Sequence, residues 1–277
     1  MSPNRPRNTP RTPYPEKPAS KRARSANRYD AAKGQNGLLR RYLQGRPVLQ
    51  RIYWALVKLV VIVVLFSVGW VVLLKYVPVW FTPLIMTRKV EAIQEGKSSE
   101  IHKDWVPYEE ISKEAVLAVV ASEDQAFPNH WGFDFDEIQD AVRDNRTRKR
   151  PRGASTISQQ VAKNVFLWNG RSYIRKGLEV YFTVLIELVW GKQRIMEVYL
   201  NVAETGNMTF GVEAASQRFY GHSAAKLSRA EAARIAAVLP NPRLFSIANP
   251  SAYIQRRSKQ ISRQMRLLGG RQYVKGL

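Results

Sequence analysis

The most pronounced pattern in this chain is a long apolar run close to its N-terminal end. Residues 59–74 contain no charged side chain, and residues 52–57 extend the run to 23 positions (52–74) because Lys58 can extend its ammonium group to the membrane interface. At ~1.5 Å per residue, such a helix covers about 34 Å, against roughly 30 Å for the hydrocarbon core of a bilayer. We therefore predict a single transmembrane helix over residues 51–75.

The rest of the chain has a helical pattern. From about Tyr108 to the C-terminal end, apolar residues recur at intervals of three and four, and Gly and Pro fall at the segment boundaries. No alternating run of convincing length indicates a strand. The pattern predicts a mostly α domain over residues 105–277, joined to the transmembrane helix by a membrane-proximal connection over residues 76–104.

One predicted helix, starting at about Ile111, carries a carboxylate near its C-terminal end. Val116, Val119 and Glu123 follow one another at helical spacing, so Glu123 lies on or beside the apolar face. Desolvation and the negative end of a helix both raise the pKa of a carboxyl group, which suits general acid or base chemistry near neutral pH. Position alone leaves a surface glutamate as the alternative.

A second predicted helix separates polar and apolar residues onto opposite faces. The apolar face has a spacing of four, in Ile157, Val161 and Val165. The polar face consists of Thr156, Gln160, Lys163 and Asn164. A solvent-exposed helix more often carries paired Glu and Lys. Neutral amides together with a cation suit recognition of a sugar and a pyrophosphate.

Charge is concentrated at the N-terminal end. The net charge is +22, and residues 1–51 hold 13 Lys or Arg against Glu16 and Asp30, which gives +11. Residues 1–50 are rich in Pro and poor in apolar residues, so we predict a disordered basic tail. This tail is too long for a cleavable signal peptide. The positive charge predicts that the tail stays cytoplasmic and that the chain after residue 75 lies on the other side of the membrane.

Five blocks of sequence then follow in a fixed order. They are EDQAFPNHWG at 123–132, GASTISQQVAKN at 153–164, RKGLE at 175–179, KQRIMEVYLN at 192–201 and AAVLPNP at 236–242. Together they resemble the motifs of the peptidoglycan glycosyltransferases, which polymerise a lipid-linked disaccharide into glycan strands. Ser158 stands where this family usually has Thr, and Met196 where it usually has Leu. The resemblance covers about residues 105–250.

The resemblance implies a monofunctional enzyme with a lysozyme-like, all-α fold that polymerises lipid II with inversion at the anomeric carbon and releases lipid pyrophosphate. It implies Glu123 as general base and Glu179 as a second catalytic carboxylate. The implied substrate-binding residues are Asp124, Gln159, Gln160, Lys163, Asn164, Arg171, Arg175 and Lys192. No tightly bound cofactor is implied; a divalent cation, Mg²⁺ or Mn²⁺, is the one candidate, and its ligands stay open.

The implied partners are lipid II, the nascent glycan strand, the membrane and proteins of cell-wall synthesis or division, with no nucleic acid. A membrane-anchored muramidase is the main alternative, since two carboxylates in a cleft can also hydrolyse glycans. Clustered cations such as Lys163, Arg171 and Arg175 favour a pyrophosphate-releasing transferase instead. A non-catalytic basic membrane scaffold explains the charge but not the five blocks.

Overall fold

The computed structural model describes residues 46–147, 153–170 and 172–277. The predicted disordered tail over residues 1–50 therefore lies almost wholly outside the described residues, and so does Arg171. The chain divides into two units, residues 1–65 and residues 66–277. Each is described here by itself.

A single long apolar helix, α1 (Pro47–Tyr76), runs through 30 residues. Within the described residues it is the one helix that is long and apolar enough to cross a membrane. It begins four residues before the predicted start, at a proline, which suits the first position of a helix because that N–H has no intrahelical partner. In the first unit its large apolar side chains are mostly exposed, as expected for a lipid-facing surface.

The last turns of α1 belong to the core of the second unit. Val71 and Leu74 are buried there. Trp190 Nε1 donates to the carbonyl oxygen of Val71 at 2.7 Å, and Arg194 Nη2 donates to those of Leu74 at 2.8 Å and Val77 at 2.5 Å. The last four carbonyls of a helix lack intrahelical partners and attract cations, so the contact from Arg194 to Leu74 completes the helix end.

The predicted connection over residues 76–104 contains a helix of its own, α2 (Pro83–Gln94). In the structure Pro83 occupies the first turn of α2, and the Thr82 side chain accepts from Ile85 N at 3.2 Å as its N-cap. A proline in the first turn starts a helix as readily as it ends one.

The second unit is mostly α, as predicted. Its helices after α2 are α3 (Lys113–Glu123), α4 (Phe135–Asn145), α5 (Ile157–Phe166), α6 (Tyr173–Val189), α7 (Gly191–Val202), α8 (Val212–Tyr220), α9 (Arg229–Val238) and α10 (Ala252–Leu267). Short 3₁₀ segments lie at Tyr108–Glu110, Ala224–Lys226 and Gly270–Val274. Helix α3 packs against α9, α10 and the last 3₁₀ segment, and α5 packs against α6 and α7.

A small sheet was missed by the sequence analysis. Strand β1 (His102–Lys103) pairs in parallel with β3 (Thr209–Phe210), which pairs antiparallel with β2 (Glu204–Gly206). Two or three residues are too few to show an alternating pattern. At the end of β3, Gly211 has φ +88°, and a Cβ there would lie 2.8 Å from the carbonyl oxygen of Asn201, so the sheet can approach α7 only through a glycine.

Adjacent leucines near the end of α1 offer a matched pair for testing this junction. Leu74 is 6% exposed and Leu73 is 47% exposed. We expect Leu74→Ala to lower the free energy of unfolding by about 2–5 kcal/mol, the usual cost of a buried leucine truncation, and Leu73→Ala to lower it far less. The measurement is denaturation of both variants in detergent micelles. Equal losses would mean that the end of α1 is not part of the folded core.

Candidate active site

A cleft of about 310 Å³ opens at the C-terminal end of α3. It is lined by residues 121–126, by Asp134 and Glu137 at the start of α4, and by residues 153–156 in front of α5. The first two sequence blocks thus meet at one cavity. The C-terminal end of α3 therefore lies beside the start of α5.

Glu123 is the last residue of α3, as predicted, and its side chain is 12% exposed. One carboxylate oxygen, Oε2, accepts from Gln160 Nε2 at 3.1 Å. The other, Oε1, is buried without a hydrogen bond and lies 3.6 Å from Arg257 Nη2. Burial raises the pKa of Glu123, with a smaller contribution from Asp124, while Gln160, Arg257 and Lys163 partly offset the rise.

Asp124 is buried, and its carboxylate is engaged in contacts with other parts of the protein. Its carboxylate lies 2.9 Å and 3.0 Å from His130 Nε2 and accepts from Ile157 N at 2.9 Å. This contact satisfies an otherwise free N–H at the start of α5 and places a negative charge at its positive end. The structure thus gives Asp124 a structural role in joining the first block to the second, and its predicted substrate contact stays a prediction.

The two adjacent glutamines of the second block, Gln159 and Gln160, make different contacts. Gln159 is buried, and its Oε1 accepts from Thr156 N at 3.0 Å while Thr156 Oγ1 accepts from Gln159 N at 3.3 Å, which is a capping box. Thr156 Oγ1 also donates to the Gly132 carbonyl oxygen at 2.6 Å. Gln159 therefore holds the helix start, whereas Gln160 reaches Glu123.

Gly132 explains why the first block ends in glycine. It has φ +80°, and a Cβ there would lie 2.7 Å from Thr183 Cγ2 and 3.1 Å from Glu187 Cγ on α6. Both the backbone angle and the close approach of α6 exclude a side chain.

Glu179 is buried on α6 and held by two cations. Arg175 Nη1 donates to Oε2 at 2.9 Å, and Lys176 Nζ donates to Oε1 at 2.5 Å. Arg175 and Glu179 thus form the ion pair that their i, i+4 spacing on one helix allows. Because one end of its guanidinium is paired with this carboxylate, Arg175 carries less free positive charge than the sequence analysis assumed.

Lys163 stands apart from the other cations. On the polar face of α5 it is partly buried and, within the described residues, makes no direct hydrogen bond or ion pair. Burial lowers the pKa of Lys163, with smaller effects of the same sign from Arg175 and Lys176, while Glu179 and Glu123 raise it. An ammonium group in this state can accept an anionic ligand without breaking an internal pair. Asn164 lies beside it, also partly buried.

Lys192, in contrast, is committed to an internal pair. Its Nζ donates to Glu187 Oε1 at 2.7 Å and lies 4.5 Å from the centre of the Phe127 ring. The same carboxylate oxygen accepts from Ser158 Oγ at 2.5 Å. The cation was predicted to bind substrate; the structure uses it to neutralise a buried glutamate beneath α5, so a ligand contact stays a prediction.

The structure adds one residue that the sequence analysis did not name. Arg257, on α10, faces Glu123 from 134 residues further along the chain, and its Nε is buried without a partner. No local motif marks it, because α10 contains several arginines at similar spacing. Within the described residues, no group of three or more His, Cys, Asp or Glu side chains is arranged to ligate a metal ion together.

Comparisons with known proteins agree with this arrangement. The family model described as "Transglycosylase" matches residues 89–266. The chain is 53% identical over 208 residues to the biosynthetic peptidoglycan transglycosylase of Pseudomonas fluorescens strain SBW25, covering 75% of this chain and 87% of the relative. It is 54% identical over 200 residues to the protein of that name from Pasteurella multocida, covering 72% and 81%.

The raised pKa of Glu123 has a consequence for stability. Below the unfolded value of about 4.5, the group is protonated in both states and costs nothing; as pH rises through the raised folded value, ionisation disfavours the folded state. We expect Glu123→Gln to raise the melting temperature at pH 7 and to leave it unchanged at pH 4. A gain of about 1 kcal/mol corresponds to roughly 2–4 °C.

The matched control is Glu110→Gln, in the exposed part of the first 3₁₀ segment, which removes the same charge without removing a buried group. A similar gain in both variants would assign the effect to net charge. A loss of stability in Glu123→Gln at pH 7 would contradict the desolvation argument.

Proposed function

This chain belongs to the transglycosylase family, and we propose that this peptidoglycan glycosyltransferase polymerises lipid II, the lipid-linked disaccharide-pentapeptide, with inversion at the anomeric carbon. The observation that carries the proposal is a desolvated carboxylate, Glu123, that interacts electrostatically with the partly buried ammonium of Lys163, which has no direct partner within the described residues. The first suits removal of a proton from a sugar hydroxyl. The second suits a leaving group that gains negative charge.

The chemical step follows from these two groups. Glu123 takes the proton of the acceptor sugar's 4-hydroxyl, and the hydroxyl oxygen forms a bond to the anomeric carbon of the growing strand from the face opposite the pyrophosphate. The bond to the pyrophosphate oxygen breaks, and its electron pair departs with the lipid pyrophosphate. A carboxylate with a raised pKa is a stronger base than an exposed one and still ionised at neutral pH when that pKa lies below 7.

Stabilisation of the departing charge falls chiefly to Lys163. Negative charge on the pyrophosphate grows in the transition state, so a fixed cation stabilises it more than the ground state. Arg175 contributes mainly by holding Glu179, whose proposed role is to position the acceptor sugar. Arg171, from the third block, is proposed as a further pyrophosphate ligand on the resemblance alone.

The Lys163 ammonium, which has no direct partner in the part of the chain that the structure describes, also separates this proposal from a muramidase. A hydrolase that acts between two sugars produces a neutral leaving group and gains nothing from a cation at that position. A non-catalytic scaffold would have no reason to keep Glu123 desolvated at the expense of stability.

The proposed location is the inner membrane. The apolar helix α1 supports a membrane anchor, and the excess of Lys and Arg before it supports a cytoplasmic N-terminus and a periplasmic second unit. Proteins of cell-wall synthesis or division are proposed as partners on the resemblance alone.

Purified protein incubated with lipid-linked disaccharide pentapeptide tests the reaction directly. We expect polymer and free lipid pyrophosphate from the wild type, at least ~100-fold less from Glu123→Gln, and a similar loss from Lys163→Met. Folding should survive Lys163→Met, because burial already lowers the pKa of Lys163 and its charge costs stability at neutral pH.

Lys226→Met, an exposed cation in a 3₁₀ segment, is the matched control and should keep full activity. Shortening of preformed glycan strands without release of lipid pyrophosphate would replace the transferase with the muramidase. Normal polymerisation by Lys163→Met would contradict the proposed role of Lys163 in stabilising the departing pyrophosphate.

Topology is tested independently of catalysis. A reporter that is active only in the periplasm, fused after Leu277, should give signal, because the positive tail resists translocation. A reporter that is active only in the cytoplasm, fused at the same position, is the paired control. Signal from the cytoplasmic reporter alone would reverse the orientation.

A further inference from the structure

A buried tyrosine, Tyr199, is hydrogen-bonded to Gln160, which is in turn hydrogen-bonded to the proposed base, Glu123. Tyr199, on α7, is 2% exposed, and its hydroxyl donates to Gln160 Oε1 at 3.2 Å. Gln160 Nε2, at the other corner of the same amide, donates to Glu123 Oε2 at 3.1 Å. The three side chains form a continuous hydrogen-bonded path from α7 through α5 to the end of α3.

The two faces of a primary amide have nearly the same shape and opposite hydrogen-bonding character. If the Gln160 amide turned over, Oε1 would face Glu123. Two oxygens in contact favour the protonated carboxylic acid, which can donate, over the carboxylate, which cannot. The orientation of this amide therefore decides which protonation state of Glu123 the protein favours.

We propose that Tyr199 is a positioning residue that holds the Gln160 amide with its N–H toward Glu123 and thereby keeps the base ionised. This inference rests on the proposed function. A tyrosine hydroxyl can accept as well as donate, but a phenol is the stronger donor, so its contact at Oε1 favours the observed orientation, and burial on α7 fixes the hydroxyl in place. Tyr199 belongs to the hydrophobic core, so its hydroxyl is a polar group placed inside that core.

The electrostatic surroundings are consistent with this role. The charged and titratable groups that face Glu123 are Asp124 beside it, Lys163 from α5 and Arg257 from α10, with Tyr199 from α7 beneath the glutamine. Burial raises the pKa of Tyr199 well above its ordinary value, and Glu123 and Asp124 raise it further. The hydroxyl therefore remains a donor throughout the pH range in which Glu123 is ionised.

The test is the pH dependence of polymerisation by Tyr199→Phe with lipid-linked disaccharide pentapeptide. The acid limb of the kcat/KM profile should move to higher pH, so that activity on that limb, relative to the variant's own plateau, falls about tenfold. The plateau and KM should change by less than about twofold, because no ligand contact is removed. A purely structural effect would lower the plateau and leave the limb where it is.

Tyr108→Phe is the matched control. Tyr108 is equally buried, at 3% exposed, and its hydroxyl has no hydrogen-bond partner in the described part of the chain, so its removal should leave the acid limb unchanged.

A second variant tests whether Tyr199 acts through the amide. In a Gln160→Met background, which keeps the side-chain length and removes the amide, Tyr199→Phe should cause no additional shift of the acid limb. An undiminished additional shift would show that Tyr199 acts on Glu123 by another route and would overturn the proposal. So would a Tyr199→Phe profile identical to wild type. Absence of polymer from the wild type would instead reject the proposed function, so the two failures are distinguishable.

Discussion

The site depends on the complete burial of α3. Residues 114–121 are all buried, so the helix cannot end at the surface and its terminal carboxylates lie inside the protein. At its start, Glu114 is paired with Arg229 and Arg271; burial raises the pKa of Glu114, but the hydrogen bonds from these arginines lower it below its ordinary value overall. At its end, Glu123 receives one amide hydrogen bond and a more distant guanidinium, and its pKa rises. One helix therefore carries a carboxylate with a lowered pKa at its start and one with a raised pKa at its end.

The rest of the cleft is built by fixing the start of α5 to the end of α3. Asp124 and Gly132 both contact the first turn of α5, one through the N–H of Ile157 and the other through the hydroxyl of Thr156. With that turn fixed, a residue one turn further along, Gln160, must face Glu123. A displacement of α5 by even 1 Å would break the 3.1 Å contact, so the structural residues of the first two blocks act on the chemistry through geometry.

Helical periodicity was enough to predict the mostly α architecture, the buried faces of α3 and α5, and the position of Glu123. The contacts of individual side chains depend on long-range geometry, which helical periodicity does not contain. Gln159 and Gln160 look equivalent in a motif, although the spacing of Thr156 and Gln159 is that of a capping box and could have marked Gln159 as structural. The resemblance implied Lys192 as a ligand. Its buried partner Glu187 is recognisable only once α6 and α7 are packed. Arg257 is brought to Glu123 purely by tertiary folding, so no local spacing could identify it.

The balance of charge explains how so many cations can line a partly buried site before any substrate arrives. Lys176 and Arg175 share Glu179, and Lys192 is neutralised by Glu187, so the desolvation of these cations is offset within the protein. Within the described residues Lys163 lacks such a direct partner, and burial lowers its pKa accordingly. An anionic ligand at this position would restore its preference for the charged form. The binding energy of a pyrophosphate would then grow with the charge that develops on it, which is the condition for binding a transition state more tightly than a substrate.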